Sequence, residues 1–110
     1  MSKKITENNT VKAKSFKVGK KTYILRLYIT DTTPNSARAV VNIKAICENY
    51  LKNRYQLEII DIYQHPAIAS TEEIVAVPLL IKKLPLPEER MVGDLSNTEE
   101  VLKGLSLEYP

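Results

Sequence analysis

The strand–helix–strand pattern of residues 22–62 constrains the fold of this chain more than any other feature. Residues 22–30 (TYILRLYIT) are rich in β-branched and aromatic side chains and apolar on both faces, which is typical of a strand inside a covered sheet. Thr33 as N-cap and Pro34 as first residue begin a helix with apolar residues at helical spacing. Residues 57–62 (LEIIDI) form the next strand. A helix between two strands predicts a parallel pair with a right-handed crossover.

The local signals conflict beyond residue 63. Residues 70–73 (STEE) predict a helix start, because acidic side chains in the first turn complement the helix dipole. Residues 74–81 (IVAVPLLI) read equally well as a buried strand. Ser96 and Glu99 have the spacing of a capping box and predict a last helix. The predicted fold class is therefore α/β, with a βαβ unit followed by a helix, two strands and a helix.

This order of elements is that of the thioredoxin fold, in which a CxxC motif begins the first helix. Here a degenerate sequence occupies that position: Thr33, Pro34, Asn35 and Ser36. Pro78 stands where the fold has a cis-proline. The only cysteine is Cys47, on the apolar stripe of the predicted helix, where we expect a buried thiol. A chain with one cysteine has no thiol pair for thiol–disulfide exchange.

The formal charge of +3 is unevenly distributed along the chain. Residues 1–21 hold seven lysines and one glutamate, a charge of +6, whereas residues 22–110 hold nine Lys/Arg and twelve Asp/Glu, a charge of −3. We interpret residues 1–20 as a flexible basic tail and residues 21–110 as one domain. The domain lacks a basic face with interleaved aromatic residues, so we expect no nucleic-acid partner.

The sequence contains no signals for membrane insertion, secretion, metal binding or nucleotide binding. No apolar run reaches the ~18 residues that cross a membrane, and the N-terminus has no secretory signal pattern, so we expect a cytoplasmic protein without membrane contact. His65 is the only histidine, and no HExxH, Walker A or GxGxxG motif occurs. Adjacent carboxylates on a helix point in different directions and do not suit an acid–base pair. We therefore expect no catalytic site, metal or cofactor.

Residues 21–109 resemble the KaiB family, the small partners of the KaiC ATPase in circadian clocks. The resemblance covers the whole predicted domain and leaves out the basic tail. The order and spacing of the matching stretches agree throughout: KTYILRLYI (Lys21–Ile29), TPNSARA (Thr33–Ala39), EIIDIYQHP (Glu58–Pro66), IVAVPLLIKKLPLP (Ile74–Pro87), GDLSN (Gly93–Asn97) and VLKGL (Val101–Leu105).

The resemblance implies a non-enzymatic regulator that binds a hexameric KaiC-type ATPase and autokinase and modulates its phosphorylation cycle. It also implies sequestration of a KaiA-like protein and competition with a sensor histidine kinase. Family members have two arrangements of the C-terminal half, here residues 63–105. One is a ground state that is usually a homotetramer, and the other is monomeric and thioredoxin-like. By family habit we expect a homo-oligomer, tetramer or dimer, in the ground-state arrangement.

Family position assigns several residues. The implied protein contacts are Tyr23, Arg26, Arg38, Lys82 and Arg90, and the glycine that influences the choice of fold is Gly104.

Three charge reversals depart from the family pattern. Glu58 and Glu73 stand where clock members have lysine, and Glu89 replaces an arginine. Like charges facing each other across an interface cost several kcal/mol. An alternative function is therefore a clock-independent KaiB homologue, such as a stress-response module, with a different partner. A thioredoxin-like oxidoreductase is the enzymatic alternative.

Overall fold

Residues 22–107 are described by the structure, a computed structural model, and form four strands and three helices. The predicted basic tail, residues 1–20, lies outside the described residues. No helix among residues 22–107 is long and apolar enough to span a membrane. The elements, in chain order, are β1 (Tyr23–Ile29), α1 (Pro34–Tyr50), β2 (Tyr55–Asp61), α2 (Pro66–Thr71), β3 (Leu79–Leu84), β4 (Glu89–Val92) and α3 (Thr98–Gly104).

The four strands form one sheet in the order β2-β1-β3-β4. Strands β1 and β2 are parallel, with Leu25 opposite Leu57, which confirms the predicted βαβ unit. Strand β3 runs antiparallel to β1, with Leu80 opposite Leu27. Strand β4 runs antiparallel to β3, with Met91 opposite Leu80. The apolar strand β1 is therefore central, as its two apolar faces predict.

The predicted start of α1 is confirmed. The Thr33 hydroxyl oxygen accepts a hydrogen bond from the Ser36 backbone N–H at 3.2 Å, and Pro34 is the first helical residue. The helix ends at Tyr50. Its buried residues recur every three to four positions, so one face of the helix packs on the sheet. They are Ser36, Ala39, Ile43, Ile46 and Cys47.

The sheet carries an apolar cluster on each face. On one face, Leu25 and Leu27 of β1 pack with buried residues of α1 and α3, among them Ile43 and Leu102. The opposite face has a smaller cluster around Tyr28, formed with Ile60, Leu79 and Ile81. Helix α2 has no buried residue, so apolar burial contributes little to its attachment to the sheet. We therefore expect polar interactions to hold α2 in place.

Two predicted helix starts are wrong. Residues 70–73 do not begin a helix, because α2 begins at Pro66 and Glu72 is its C-cap. A proline at the first helical position favours a helix start as much as acidic residues in the first turn do. The sequence alone does not show which of these two starts is used. The N-cap of α3 is Asn97 and not Ser96, since Asn97 Oδ1 accepts from the Glu100 N–H at 3.1 Å.

The C-terminal half has the thioredoxin-like arrangement, with one helix, an antiparallel strand pair and a final helix after the βαβ unit. We expected the ground-state arrangement, because it is the usual one in the family, but the structure does not have it. The peptide bond between Val77 and Pro78 is cis, as predicted for the thioredoxin-like arrangement.

Candidate protein-binding surface

The five residues predicted to contact a partner do not form one surface. The side chains of Arg26, Arg38 and Arg90 are 34%, 56% and 39% exposed, respectively. Tyr23 and Lys82 are buried. Arg26 and Arg90 share an ion-pair partner on the α2 side of the sheet, whereas Arg38 lies on α1 and pairs with Asp94. In the described arrangement, only the three arginines are placed to meet a partner directly.

Tyr23 has a structural position. Its hydroxyl donates a hydrogen bond to the Leu105 carbonyl oxygen at 2.8 Å, which ties the start of β1 to the end of α3. The Arg54 guanidinium lies 5.7 Å from the centre of the tyrosine ring. Burial raises the pKa of the Tyr23 hydroxyl, and the nearby Arg54 charge partly offsets that rise. The phenol therefore stays neutral and can donate this bond at physiological pH.

Lys82 is a buried cation on the side of β3 that faces α1 and α3. It lies opposite Leu25 on β1 and Glu89 on β4. Its side chain is fully buried, and Nζ has no hydrogen-bond partner within residues 22–107. Burial of an unpaired ammonium group lowers the stability of a fold.

Glu72 attaches α2 to three strands at once. Its carboxylate lies 3.1 Å from Lys83 Nζ on β3 and 3.7 Å from both Arg26 Nη1 on β1 and Arg90 Nη2 on β4. Arg90 also donates to the backbone carbonyl oxygen of Glu72 at 2.7 Å. A carboxylate at a helix C-terminus is unfavourable for the helix dipole, and three cations offset that effect here. This ion-pair cluster holds the helix that has no buried residue.

A groove lies between β2 and α2, which we call the β2–α2 groove. Its volume is about 260 Å³. The lining combines apolar side chains with charged ones, and Lys83 and Arg90 are not part of it. The lining residues are Arg26, Glu58, Ile60, Ala67, Ile68, Thr71 and Glu72.

The charge reversals change the surroundings of Arg26. Glu58 lies opposite Arg26 in the β1–β2 register, and its Oε1 is 3.3 Å from Arg26 Nε. A lysine at position 58 would place a second cation beside this arginine. Glu73, with a φ of 57°, and Glu89 are exposed and form no ion pair among the described residues. The glutamate at residue 58 thus gives Arg26 an acidic neighbour, whereas Glu89 lies in register with Lys82.

Arg38 joins α1 to the GDLSN loop. Its Nε lies 3.2 Å from Asp94 Oδ2, and its Nη2 donates to Asn35 Oδ1. Asn42 Nδ2 donates to the Asp94 carbonyl oxygen at 2.8 Å. Hydrogen bonds from Ser96 and the Arg38 charge hold the pKa of Asp94 below its usual range. The loop residue Leu95 has a φ of 62° and is buried, so these bonds hold a strained segment in place.

The residues that stand where the thioredoxin fold has its CxxC motif serve the fold. Ser36 is buried, and its hydroxyl oxygen accepts a hydrogen bond from the Thr30 N–H at 3.1 Å.

The other residues that could carry chemistry form no site among the described residues. Cys47 is buried as predicted, and desolvation raises the pKa of its thiol to about 12. His65 is exposed. Among residues 22–107, no group of three or more His, Cys, Asp or Glu is arranged to hold a metal ion.

Gly104 is the last residue of α3 and lies against β4. A Cβ atom there would collide with the sulfur atom of Met91. Glycine therefore permits the close approach of α3 to β4 in this arrangement. The predicted influence of Gly104 on the choice of fold stays a prediction.

Sequence reasoning did not single out Glu72 as the residue that attaches α2. It interpreted the acidic pair at residues 72 and 73 as the first turn of a helix, whereas the carboxylate follows the last turn. The available signal was the two cations Lys83 and Arg90, which need an acidic partner when their strands are paired. Their adjacency depends on the antiparallel β3–β4 pairing, which the local sequence does not establish.

Comparison with known proteins decides the family. The family model described as the KaiB domain matches residues 26–107. The chain belongs to the KaiB family. It is 49% identical over 90 residues to the circadian clock oscillator protein KaiB of Prochlorococcus marinus subsp. pastoris, covering 82% of this chain and 84% of that protein. For the KaiB of Synechococcus elongatus the identity is 48%, over 82% and 88% of the two chains.

Solved structures with a similar fold are thioredoxin-like. The N-terminal domain of Synechococcus elongatus SasA has a TM-score of 0.64 at 21% identity, covering 90% of this KaiB-family chain and 97% of that domain. Chloroplastic thioredoxin z has a TM-score of 0.65 at 14% identity, covering 78% and 80% of the two chains. These likenesses confirm the thioredoxin-like fold predicted from the order of elements.

Proposed function

We propose that this chain is a non-enzymatic clock regulator that binds a KaiC-type hexameric ATPase and autokinase and modulates its phosphorylation cycle. The observation that carries the proposal is sequence identity to clock proteins. The chain is 49% and 48% identical to two relatives that are named circadian clock oscillator proteins. A KaiA-like protein and a competing sensor histidine kinase are further partners in this proposal. We also propose a cytoplasmic location and a homo-oligomeric resting form, tetramer or dimer.

The thioredoxin-like arrangement supports a recognition role. The positions that carry redox chemistry in thioredoxins hold a helix cap, a proline, an acceptor for Arg38 and a buried serine. Three arginines at family contact positions reach the surface, two of them on the α2 side. Arginine is well suited to such interfaces, because its planar group forms bidentate contacts with carboxylates.

The test is complex formation with the cognate ATPase. We expect gel filtration after long incubation with ATP to move this chain into the fraction of the hexameric ATPase. Long incubation is necessary, because a binding-competent state that is rarely populated slows association as well as lowering the apparent affinity. Absence of a complex both with and without ATP would overturn the proposal.

A second candidate function, a KaiB homologue with a clock-independent role and another partner, rests on the Arg26–Glu58 pair. That pair reduces the positive charge that an acidic ATPase surface would meet. The matched variant is the triple reversion Glu58→Lys, Glu73→Lys and Glu89→Arg. Tighter ATPase binding by the reversion variant supports a clock surface that has been weakened. Unchanged binding supports the second candidate.

A further inference from the structure

We propose that Met91 is a site of reversible oxidation, at which a peroxide converts the thioether to a sulfoxide and thereby loosens the end of α3 from β4. The inference goes beyond the proposed function and does not depend on it. Three observations carry it. The Met91 sulfur lies against Gly104, the side chain lines a groove at the surface, and the cysteine of the chain is buried.

The Met91 side chain fills the contact between β4 and the last turn of α3. Met91 lies opposite Leu80 in the β3–β4 register and packs against the core cluster on the α1 and α3 face of the sheet. A Cβ atom at Gly104 would collide with its sulfur, so the helix backbone lies directly against the thioether. Added volume in such a close-packed contact is destabilising. An oxygen atom on this sulfur either presses on α3 or turns the side chain away from it, and both weaken the contact.

Met91 also lines a groove through which a small oxidant can reach it. The groove lies between the end of β4, the GDLSN loop and α3, and its volume is about 300 Å³. Met91 is half-buried, and its neighbour Val92, which also lines the groove, is 67% exposed. Hydrogen peroxide is only slightly larger than water, so a groove of this size admits it.

The oxidation step is balanced by the peroxide alone. A lone pair of the Met91 sulfur attacks one peroxide oxygen, the O–O bond breaks and an S–O bond forms. The sulfur loses two electrons, and hydrogen peroxide is reduced to water. A flexible apolar side chain thus becomes a polar and chiral one. A methionine sulfoxide reductase reverses the step, with two thiols oxidised to a disulfide and the oxygen released as water.

The cysteine of the chain does not compete for the oxidant. Cys47 is buried, and burial raises the pKa of its thiol to about 12, so the oxidisable thiolate is scarce. Met91 is the only methionine among residues 22–107, and Met1 lies outside the described residues. Within the described part of the chain, Met91 is therefore the sulfur that a peroxide meets first.

The residue after Gly104 reports whether the end of α3 has loosened. The Leu105 N–H donates to the Val101 carbonyl oxygen at 2.9 Å. The Leu105 carbonyl oxygen accepts from the Tyr23 hydroxyl at 2.8 Å. Both hydrogen bonds lie beside the contact between Met91 and Gly104, so a shift of the last turn of α3 weakens them.

The experiment treats the full chain with hydrogen peroxide and compares amide hydrogen exchange before and after. Peptide mass spectrometry should place one added oxygen atom on Met91. We expect the Leu105 amide to exchange at least about fivefold faster in the oxidised chain, while the amides of β1 keep their rates. Treatment with a methionine sulfoxide reductase should restore the original rate.

The matched control is Met91→Leu, because leucine has a similar apolar volume without the oxidisable sulfur. Exchange in this variant should not respond to peroxide. A second variant, Met91→Gln, places a polar group of similar length at the contact. It should speed exchange of the Leu105 amide without any peroxide.

Four results would overturn the inference. Met91 that stays unoxidised at a peroxide concentration that fully oxidises Nα-acetyl-methionine would show that the sulfur is shielded. An unchanged Leu105 rate in the sulfoxide form would show that the contact tolerates the oxygen, and an unchanged rate in Met91→Gln would show that it tolerates a polar group. An equal response of Met91→Leu to peroxide would assign the effect to another residue.

Discussion

The guanidinium of Arg38 on α1 lies 3.2 Å from the carboxylate of Asp94, so two stretches 56 residues apart meet in the fold. Arg38 belongs to TPNSARA and Asp94 to GDLSN, both of which carry the family resemblance. Asn42 reinforces the junction through the Asp94 carbonyl oxygen. The βαβ unit and the C-terminal half are thus joined by polar contacts beside the apolar core.

Replacing Asp94 by Asn should lower the free energy of unfolding at pH 7. It should also make that free energy depend less on pH in the acid range. The folded-state pKa of Asp94 lies below its usual range, so the ionised form contributes stability above about pH 4. That contribution is lost as the pH falls through the folded-state pKa. Urea unfolding between pH 7 and pH 3 should show the two proteins converging at low pH. A constant difference across this range would contradict the prediction.

Replacing Glu72 by Gln should destabilise the described arrangement by about 1–2 kcal/mol, because three cations around a partly buried position lose their common partner. Urea unfolding measures the loss, and hydrogen exchange should show faster opening of α2. The control Glu99→Gln removes an exposed i,i+4 pair with Lys103 and should change stability by under about 0.5 kcal/mol. Equal effects of the two variants would refute the role of Glu72.

Replacing Lys82 by Met should raise the stability of the described arrangement by about 1 kcal/mol or more, because it removes a buried ammonium that has no hydrogen-bond partner within residues 22–107. Methionine keeps the length of the side chain and fills irregular space well. Urea unfolding at pH 7 is the measurement, and Lys103→Met, which changes an exposed side chain on α3, is the control. A lower midpoint for the Lys82 variant alone would mean that the ammonium group has a stabilising partner.

Cys47 should not react with a thiol reagent in the native protein. Burial raises the pKa of its thiol to about 12, so the reactive thiolate is scarce at neutral pH. A colorimetric thiol assay should report one thiol only after the chain is unfolded in urea. An insulin-reduction assay should give the same background rate for the unchanged chain and for Cys47→Ser. Reduction above that control would restore the oxidoreductase alternative.

The N-terminal half was predictable because its signals are local. Thr33 and Pro34 define a helix start within two residues, and residues 22–30 have a strand composition that tertiary contacts do not oppose. In the second half, residues 70–73 satisfy a local rule for helix starts, but Pro66 satisfies one as well, and α2 begins at Pro66. The outcome there depends on Glu72 meeting cations from three strands, which is a property of the assembled sheet.

The exposure of the candidate contact residues was not predictable from family position. Family position selected Tyr23 and Lys82 along with the three arginines, yet the fold buries the first two. Burial of Lys82 follows from the side of β3 on which it lies, and its neighbour Lys83 points to α2 instead. The β1–β3 register shifts beside these lysines, because Ile24 lies opposite Leu84 and Leu25 opposite Lys82, which leaves Lys83 as an extra residue on β3. The sequence has no local sign of such a shift.

The phosphorylation time course of the cognate KaiC-type ATPase tests the central claim most directly. The ATPase is incubated with ATP, with and without an excess of this chain, and its phosphorylated forms are separated at intervals over hours to days. A regulator of the phosphorylation cycle should change both the course and the final phosphorylated fraction. Identical time courses in the two samples, under conditions in which the chain stays folded, would contradict the account.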